Sequence, residues 1–143
     1  MDFFGQSDPY FLIQKSTEDN QYLTVYQSET IMSNLNPVWK PFKISIAKLC
    51  NGDYQRTLKV IVYDWNKYSQ PELIGECETN LDTILKGATP IKLINKNRKK
   101  GKEHTGDIVV KTSRVVKNYS FLEYLAGGLT MSLIVAVDCK YIL

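Results

Sequence analysis

Residues 58–75 read LKVIVYDWNKYSQPELIG. Apolar residues alternate with other residues over 58–63, which is typical of a half-buried β-strand. Oxygen-bearing side chains follow at Asp64, Asn66 and Glu72, beside the turn-former Pro71 and before a second strand-like run at 74–79. The stretch therefore predicts two strands joined by an acidic loop.

A second acidic segment lies at the start of the chain, where residues 2–10 read DFFGQSDPY. Calcium takes six to eight oxygen ligands in loose geometry, so loops of this composition suit it better than magnesium. If the fold joins the two segments, a cation site would form from Asp2, Asp8, Asp64, Asn66 and Glu72. The alternative is that each acidic residue only ends a strand or solvates a turn.

Short strand-like segments dominate the chain up to about residue 116, with turn residues between them. This pattern indicates an antiparallel β-sandwich. One short helix is expected at 81–85, with Asn80 or Asp82 as its N-cap. The predicted strands are 10–13, 23–26, 42–46, 58–63, 74–79, 91–94 and 108–116.

The character of the sequence changes after residue 117. Residues 121–128 indicate a short helical turn that ends at a Gly-Gly pair. The apolar run 129–137, closed by Asp138, looks like an inner parallel strand of an α/β domain. We therefore expect one domain at 1–117 and a linker with the first strand of a second domain at 118–143.

Composition is ordinary for a globular protein, and no enzyme motif is evident. The chain has 143 residues, a net charge of +3 and three scattered cysteines, which suggest reduced thiols in a cytosolic protein. The single histidine, His104, has no evident nucleophile partner, and no glycine-rich phosphate loop is present. Neither a secretory signal nor a membrane-spanning segment is predicted.

A basic cluster at 95–104 offers a second candidate site. Such a loop attracts anionic lipid at roughly 1 kcal/mol per basic residue near the surface, or else is a solvated connection between two strands. Nucleic acid is not expected as a partner, because no aromatic residues are interleaved with the basic ones. The cluster consists of Lys96, Arg98, Lys99, Lys100 and Lys102.

Several motifs together resemble the C2 domain, a calcium-dependent phospholipid-binding β-sandwich, and more closely the second C2 domain of copines. They lie at 3–10, 34–39, 49–54, 62–65 and 73–76. Residues 121–128 resemble the copine junction into a von Willebrand A-type domain. The resemblance implies an all-β, antiparallel C2-type β-sandwich lacking its first strand, with a short α/β-like C-terminal remnant. The chain thus looks truncated at both ends.

The resemblance also implies a mechanism. Asp2 and Asp8 match the first-loop calcium ligands of the family, Asp64 and Asn66 the next pair, and Glu72 the last. Bound calcium would remove the repulsion of anionic phospholipid, and the loop-tip aromatics Phe3, Phe4 and Tyr68 would insert. A cytoplasmic protein recruited to the plasma membrane in response to calcium is expected.

Two departures from the family pattern bear on that mechanism. Asn66 and Glu72 stand where the family usually has Asp. Because ligand charge and rigidity tune calcium affinity, we expect weakened or single-ion binding. Two alternatives remain open: a calcium-independent protein-interaction C2 module, and a non-functional fragment of a longer copine.

Overall fold

The computed structural model describes residues 7–87, 90–119 and 121–128. The chain divides into two compact units, residues 1–113 and 114–143. The predicted domain boundary at 117/118 stays a prediction, and the predicted strand at 129–137 lies outside the described residues.

The described strands of the first unit form one antiparallel sheet, which confirms the all-β antiparallel prediction. Their order across the sheet is β2-β1-β3-β4-β5-β6. The strands are β1 (Pro9–Ser16), β2 (Tyr22–Gln27), β3 (Leu58–Asp64), β4 (Glu72–Thr79), β5 (Ile91–Ile94) and β6 (His104–Ile108).

One face of this sheet carries the main apolar core. Ile13 and Cys77 lie opposite Val60 on the two neighbouring strands, and Phe11 lies opposite Val62, so all five share a face. Two adjoining groups of buried side chains result, one around Leu58 and one around Val62. Burial of this face stabilises the sheet by the hydrophobic effect.

Irregular chain and two short helices pack against the core face. Trp39 meets the ring of Phe11 edge-on at 4.9 Å, and Phe42 stacks on Tyr26 at 3.8 Å. The helices are α1 (Ile46–Cys50) and α2 (Leu81–Leu85), and the Asn80 side chain caps α2 as predicted by accepting a hydrogen bond from the Thr83 amide. A second sheet layer does not form within the described residues.

The strand predicted at 42–46 is wrong. Residues 42–45 have no regular structure, and Ile46 begins α1. The Ser45 hydroxyl accepts a hydrogen bond from the Lys48 amide at 3.2 Å, and Asn51 ends the helix in the left-handed conformation. These two caps favour a helical turn. A strand at this position would instead need a neighbouring strand to pair with.

The strand predicted at 108–116 is also wrong, because only its first residue pairs with a neighbouring strand. β6 begins earlier, at His104, and pairs with β5 until Ile108 meets Ile91. Ile91 is the first residue of β5, so the ladder ends there, and residues 109–119 have no regular structure.

The second unit contains one described element, the helix α3 (Phe121–Ala126). It confirms the helical turn predicted at 121–128, and the Gly127 and Gly128 amides donate to carbonyls of its last turn. No helix in the described part of the chain is long and apolar enough to cross a bilayer.

Candidate functional site

Strand register brings the acidic residues to one end of the sheet. Pro9, the first residue of β1, pairs with Asp64, the last residue of β3. Asp64 in turn pairs with Glu72, the first residue of β4. The two acidic segments of the sequence, 56 residues apart between Asp8 and Asp64, therefore meet at a single edge, which we call the acidic end.

Asp8 and Asp64 are tied together by their own backbone and side-chain groups. The Asp8 amide donates a hydrogen bond to Oδ1 of Asp64 at 2.7 Å. The Trp65 amide donates to the Asp8 carbonyl at 3.0 Å, which continues the β1–β3 ladder by one step. The Asp64 carboxylate is thereby held against the Asp8 backbone.

The Asp8 side chain has a partner that the sequence reasoning missed. Its Oδ1 accepts a hydrogen bond from the Ser33 amide at 2.6 Å. Ser33 has a φ of 51°, an uncommon conformation for a residue other than glycine. Nothing local in the sequence indicates this contact, because it joins residues 25 positions apart through a backbone amide.

The remaining predicted ligands are less closely assembled. Asn66 is half-buried in the loop that joins β3 to β4, and Glu72 is exposed at the start of β4. Asp2 lies outside the described residues. Among the residues that are described, no three His, Cys, Asp or Glu side chains are grouped as a metal site would need.

The side-chain oxygens at the acidic end are of the type that binds a hard cation. Each of the Asp8 and Asp64 carboxylates uses one oxygen to accept a backbone hydrogen bond, and two carboxylates with an amide oxygen from Asn66 match the preference of calcium for oxygen. A full set of six to eight ligands would require further oxygens from Asp2, Glu72, carbonyls or water.

Of the predicted inserting aromatics, the structure describes one. Tyr68 lies in the 65–71 loop at the acidic end and is 89% exposed, with the Lys67 ammonium 5.2 Å from its ring centroid. Phe3 and Phe4 lie outside the described residues. Trp65, beside Asp64, is also exposed.

The predicted basic cluster forms the hairpin that joins β5 to β6, at the same end of the sheet. We call residues 95–103 the basic hairpin. Its position follows from Asn95, whose side-chain amide donates to the Leu73 carbonyl at 2.7 Å, next to Glu72 on β4. The five basic residues are exposed, and none has an ion-pair partner within the described ranges.

The basic hairpin is held in shape by its backbone. The buried Asn95 accepts on its side-chain oxygen from the Asn97 amide, and its carbonyl accepts from the Arg98 amide. The Lys102 amide donates to the Lys99 carbonyl at 2.9 Å, and Gly101 lies inside this turn in a left-handed conformation. The cluster is thus a solvated connection between two strands, which was one of the two interpretations of the sequence. Lipid binding by the cluster stays a prediction.

The charge of Lys59 has different surroundings from the charges of the basic hairpin. It lies on the sheet face opposite the main core, 3.7 Å from Glu76 and 3.9 Å from Glu78, with its ammonium 4.4 Å from the ring centroid of Tyr22. The Lys59 charge is therefore compensated locally, whereas those of the basic hairpin face solvent.

Comparison with known proteins agrees with this arrangement. The C2 domain family model matches residues 1–96. The chain belongs to the C2 domain family. It is 35% identical over 143 residues to Copine-A of Dictyostelium discoideum, covering 96% of this chain and 24% of that protein. It is 39% identical over 135 residues to Copine-C of the same organism, covering 93% of this chain and 25% of that protein.

This C2 module therefore spans about a quarter of the length of the copines it matches. Among solved structures, it is similar to BON1-C2B with a TM-score of 0.57, 23% identity, and coverage of 78% of this chain and 74% of that chain. At this level of identity the likeness establishes the fold alone, and it confirms the expected C2-type architecture.

Proposed function

We propose that this C2 module binds anionic phospholipid membranes through the acidic end of its sheet, and that calcium promotes the binding. The proposed ligands are Asp8, Asp64 and Asn66, completed by Asp2 and Glu72. The observation that carries the proposal is the contact between Asp8 and Asp64, which joins the two acidic segments at one edge. Membership of the C2 domain family supports it.

The charge distribution supports a lipid partner. The Asp8 and Asp64 carboxylates at this edge repel anionic headgroups, and a bound divalent cation would offset that local negative charge. The uncompensated basic hairpin at the same end adds attraction for the same headgroups. Calcium and the hairpin would thus act on one surface of the module.

The proposed surroundings follow from this chemistry. A module that binds anionic lipid when calcium rises would reside in the cytoplasm and be recruited to the inner face of the plasma membrane, which carries anionic lipid. Its role is that of a binding module with no catalysis of its own.

A calcium-independent protein-interaction module is the second candidate. Asn66 contributes no charge, and no three acidic side chains are grouped in the described part of the chain. Under this candidate the sheet would bind a protein partner and the acidic residues would serve only to fix loops.

Vesicle co-sedimentation separates the two candidates. We expect the protein to pellet with phosphatidylserine-containing vesicles more strongly in calcium than in chelator. Asp8→Asn and Asp64→Asn keep an acceptor oxygen for the local hydrogen bonds and remove the charge, so they are expected to abolish the calcium-dependent part. Asp19→Asn is the matched control, because Asp19 is exposed in the β1–β2 turn at the opposite end.

Equal pelleting of wild-type protein in calcium and chelator would contradict the calcium proposal. No pelleting of a folded protein under either condition would leave the protein-interaction candidate.

A further inference from the structure

A pocket lies at the end of the sheet opposite the acidic end. Lys15 lines it, and this residue of β1 pairs with Leu23 of β2 and with Leu58, the first residue of β3. The pocket has a volume of about 350 Å³, which is enough for a small organic molecule. We call it the turn pocket, and the lining residues that matter here are Lys15, Thr17, Glu18, Asp19, Asn51 and Arg56.

Arg56 brings an incompletely satisfied guanidinium to the turn pocket. Its Nη1 donates a hydrogen bond to the Ser16 carbonyl at 2.8 Å, which holds the side chain beside the end of β1. Its Nε is buried and has no hydrogen-bond partner among the described residues. A guanidinium has five N–H donors, and a donor left unpaired away from water costs free energy. Arg56 is thus placed by one hydrogen bond and keeps donors that the described residues do not use.

The Lys15 ammonium is fixed in the same pocket by neutral groups. It donates to the Lys48 carbonyl at 3.0 Å and to Oδ1 of Asn51 at 2.7 Å. Asn51 ends α1 in the left-handed conformation, so the helix end sets the position of this acceptor. The two bonds use two of the three ammonium donors and leave the charge of Lys15 uncompensated.

Both cations lack an acidic partner. Within the described part of the chain, neither Lys15 nor Arg56 has a carboxylate at ion-pair distance, whereas Lys86 lies 2.6 Å from Asp82. Two cationic groups with spare donors in one concave site are suited to an oxyanion, since such charge-assisted hydrogen bonds are the strong ones.

Glu18 and Asp19 indicate what kind of anion can enter. Both line the turn pocket and are exposed in the β1–β2 turn. The turn has a defined shape, because the Thr17 amide donates to the Gln21 carbonyl at 2.8 Å and the Gln21 amide donates to Oγ1 of Thr17 at 3.1 Å. A broad anionic surface would meet these exposed carboxylates and be repelled, which favours a small anion inside the pocket.

We propose that the turn pocket binds a small, water-soluble molecule bearing a phosphate or carboxylate group, which accepts hydrogen bonds from the Arg56 guanidinium and the Lys15 ammonium. The planar fork of Arg56 suits two oxygens of one such group, and Lys15 adds a compact charge. The site lies at the other end of the sheet from the proposed calcium site. Its ligand is therefore a second one, and the inference stands without the proposed function.

Amide chemical shifts in chelator, without calcium, test the proposal. The protein is titrated with sodium phosphate and with sodium acetate, and sodium chloride at matched ionic strength is the reference. Arg56→Lys keeps the charge and removes the planar fork, whereas Lys15→Gln removes the charge. Lys67→Gln is the matched control, because Lys67 is exposed in the 65–71 loop at the acidic end. Thermal unfolding verifies that all variants are folded.

We expect phosphate or acetate to shift the amides of Thr17, Asn51 and Arg56 in a saturable manner, and chloride to leave them unchanged. Saturation by only one of the two anions would also support the proposal and identify the group that binds. Arg56→Lys and Lys15→Gln should each weaken binding roughly tenfold, through loss of a charge-assisted hydrogen bond, while Lys67→Gln behaves as wild type.

Three results would overturn the proposal. The first is the absence of saturable shifts with both anions in the folded wild-type protein. The second is the same shifts with chloride, which would indicate a general effect of ionic strength. The third is equal weakening by Lys67→Gln, which would indicate a response to net charge alone.

Discussion

Asp8 and Asp64 have two roles that a substitution can separate. Each carboxylate accepts a backbone hydrogen bond across the sheet end, and each keeps a second oxygen for other partners. The first role concerns stability and depends on an acceptor atom. The second concerns cation binding and depends on negative charge.

Paired substitutions at Asp64 test this separation. Asp64→Asn keeps an acceptor for the Asp8 amide, so the free energy of unfolding should change little while calcium no longer raises the melting temperature. Asp64→Ala leaves that amide without its partner and should destabilise the protein by about 1–3 kcal/mol. Chemical unfolding with and without calcium measures both effects, and equal destabilisation by the two variants would contradict the account.

Cys77 gives a prediction for alkaline pH. Burial raises the pKa of the Cys77 thiol from 9.0 to about 11. Since the folded state holds this proton more tightly than the unfolded state, its contribution to stability is fully present below about pH 9 and is lost as the pH rises towards 11. The free energy of unfolding should therefore fall across this range.

Cys77→Ala isolates that contribution from the tyrosines, since the pKa values of Tyr10, Tyr22 and Tyr26 are also raised by burial. The variant should lose less stability than wild type between the two pH values. Parallel curves for the two proteins would show that Cys77 does not contribute.

Sequence reasoning found Asp8 and Asp64 because both lie next to recognisable strands and match C2 motifs. It did not predict the contact of Ser33 with Asp8, because a backbone amide that bonds to a carboxylate 25 residues away has no local sequence signal.

At the scale of elements, strands with their own ladder partners were predicted well. Five of the predicted segments correspond to β1, β2, β3, β4 and β5. β5 has the predicted bounds, and the other four strands extend beyond theirs by one to three residues at one or both ends. The segments at 42–46 and 108–116 have suitable β-forming residues, but strand formation there depends on a neighbour that the local sequence does not specify. Helix α1 was missed because its two caps, Ser45 and Asn51, enclose only five residues.

Gly75 tests how β4 meets the last two strands. A Cβ at this position would lie 2.5 Å from Oγ1 of Thr105 and 3.1 Å from Cβ of Leu93. Gly75 lies next to Glu76, which pairs with Ile94 of β5, and the Ile94 nitrogen would be 3.5 Å from the added Cβ. Gly75→Ala should destabilise the protein by about 1–3 kcal/mol in urea unfolding.

Thr105→Ala provides the control for Gly75, since it removes the hydroxyl that the new methyl group would meet. The double variant should recover part of the stability lost by Gly75→Ala alone. A Gly75→Ala protein as stable as wild type would contradict the close packing of this seam.

At the scale of the whole first unit, one sheet end carries the described groups that are proposed to meet the membrane. The basic hairpin belongs to this end because Asn95 bonds to the Leu73 carbonyl. Its charges act at long range and do not depend on a bound ion, so they should supply binding that chelator does not remove.

Lys99→Gln and Lys100→Gln test the hairpin. Each should weaken binding to phosphatidylserine-containing vesicles by roughly 1 kcal/mol in chelator at low salt, with a smaller effect at high salt as charges are screened. Lys48→Gln is the matched control, because Lys48 is exposed on α1 and its carbonyl accepts from Lys15 at the opposite end. Equal effects at Lys48 and Lys99 would indicate a general response to net charge.

The proposed function depends on calcium binding where Asp8 and Asp64 meet, and amide chemical shifts in solution locate such a site. On titration with calcium, we expect the amides of Asp8, Ser33 and Trp65 to shift most, while those of Ser16 and Leu58 at the opposite end stay unchanged. The Asp8→Asn, Asp64→Asn protein should show no such shifts. A folded wild-type protein whose spectrum does not respond to calcium, or responds away from this end, would show that calcium does not bind at Asp8 and Asp64.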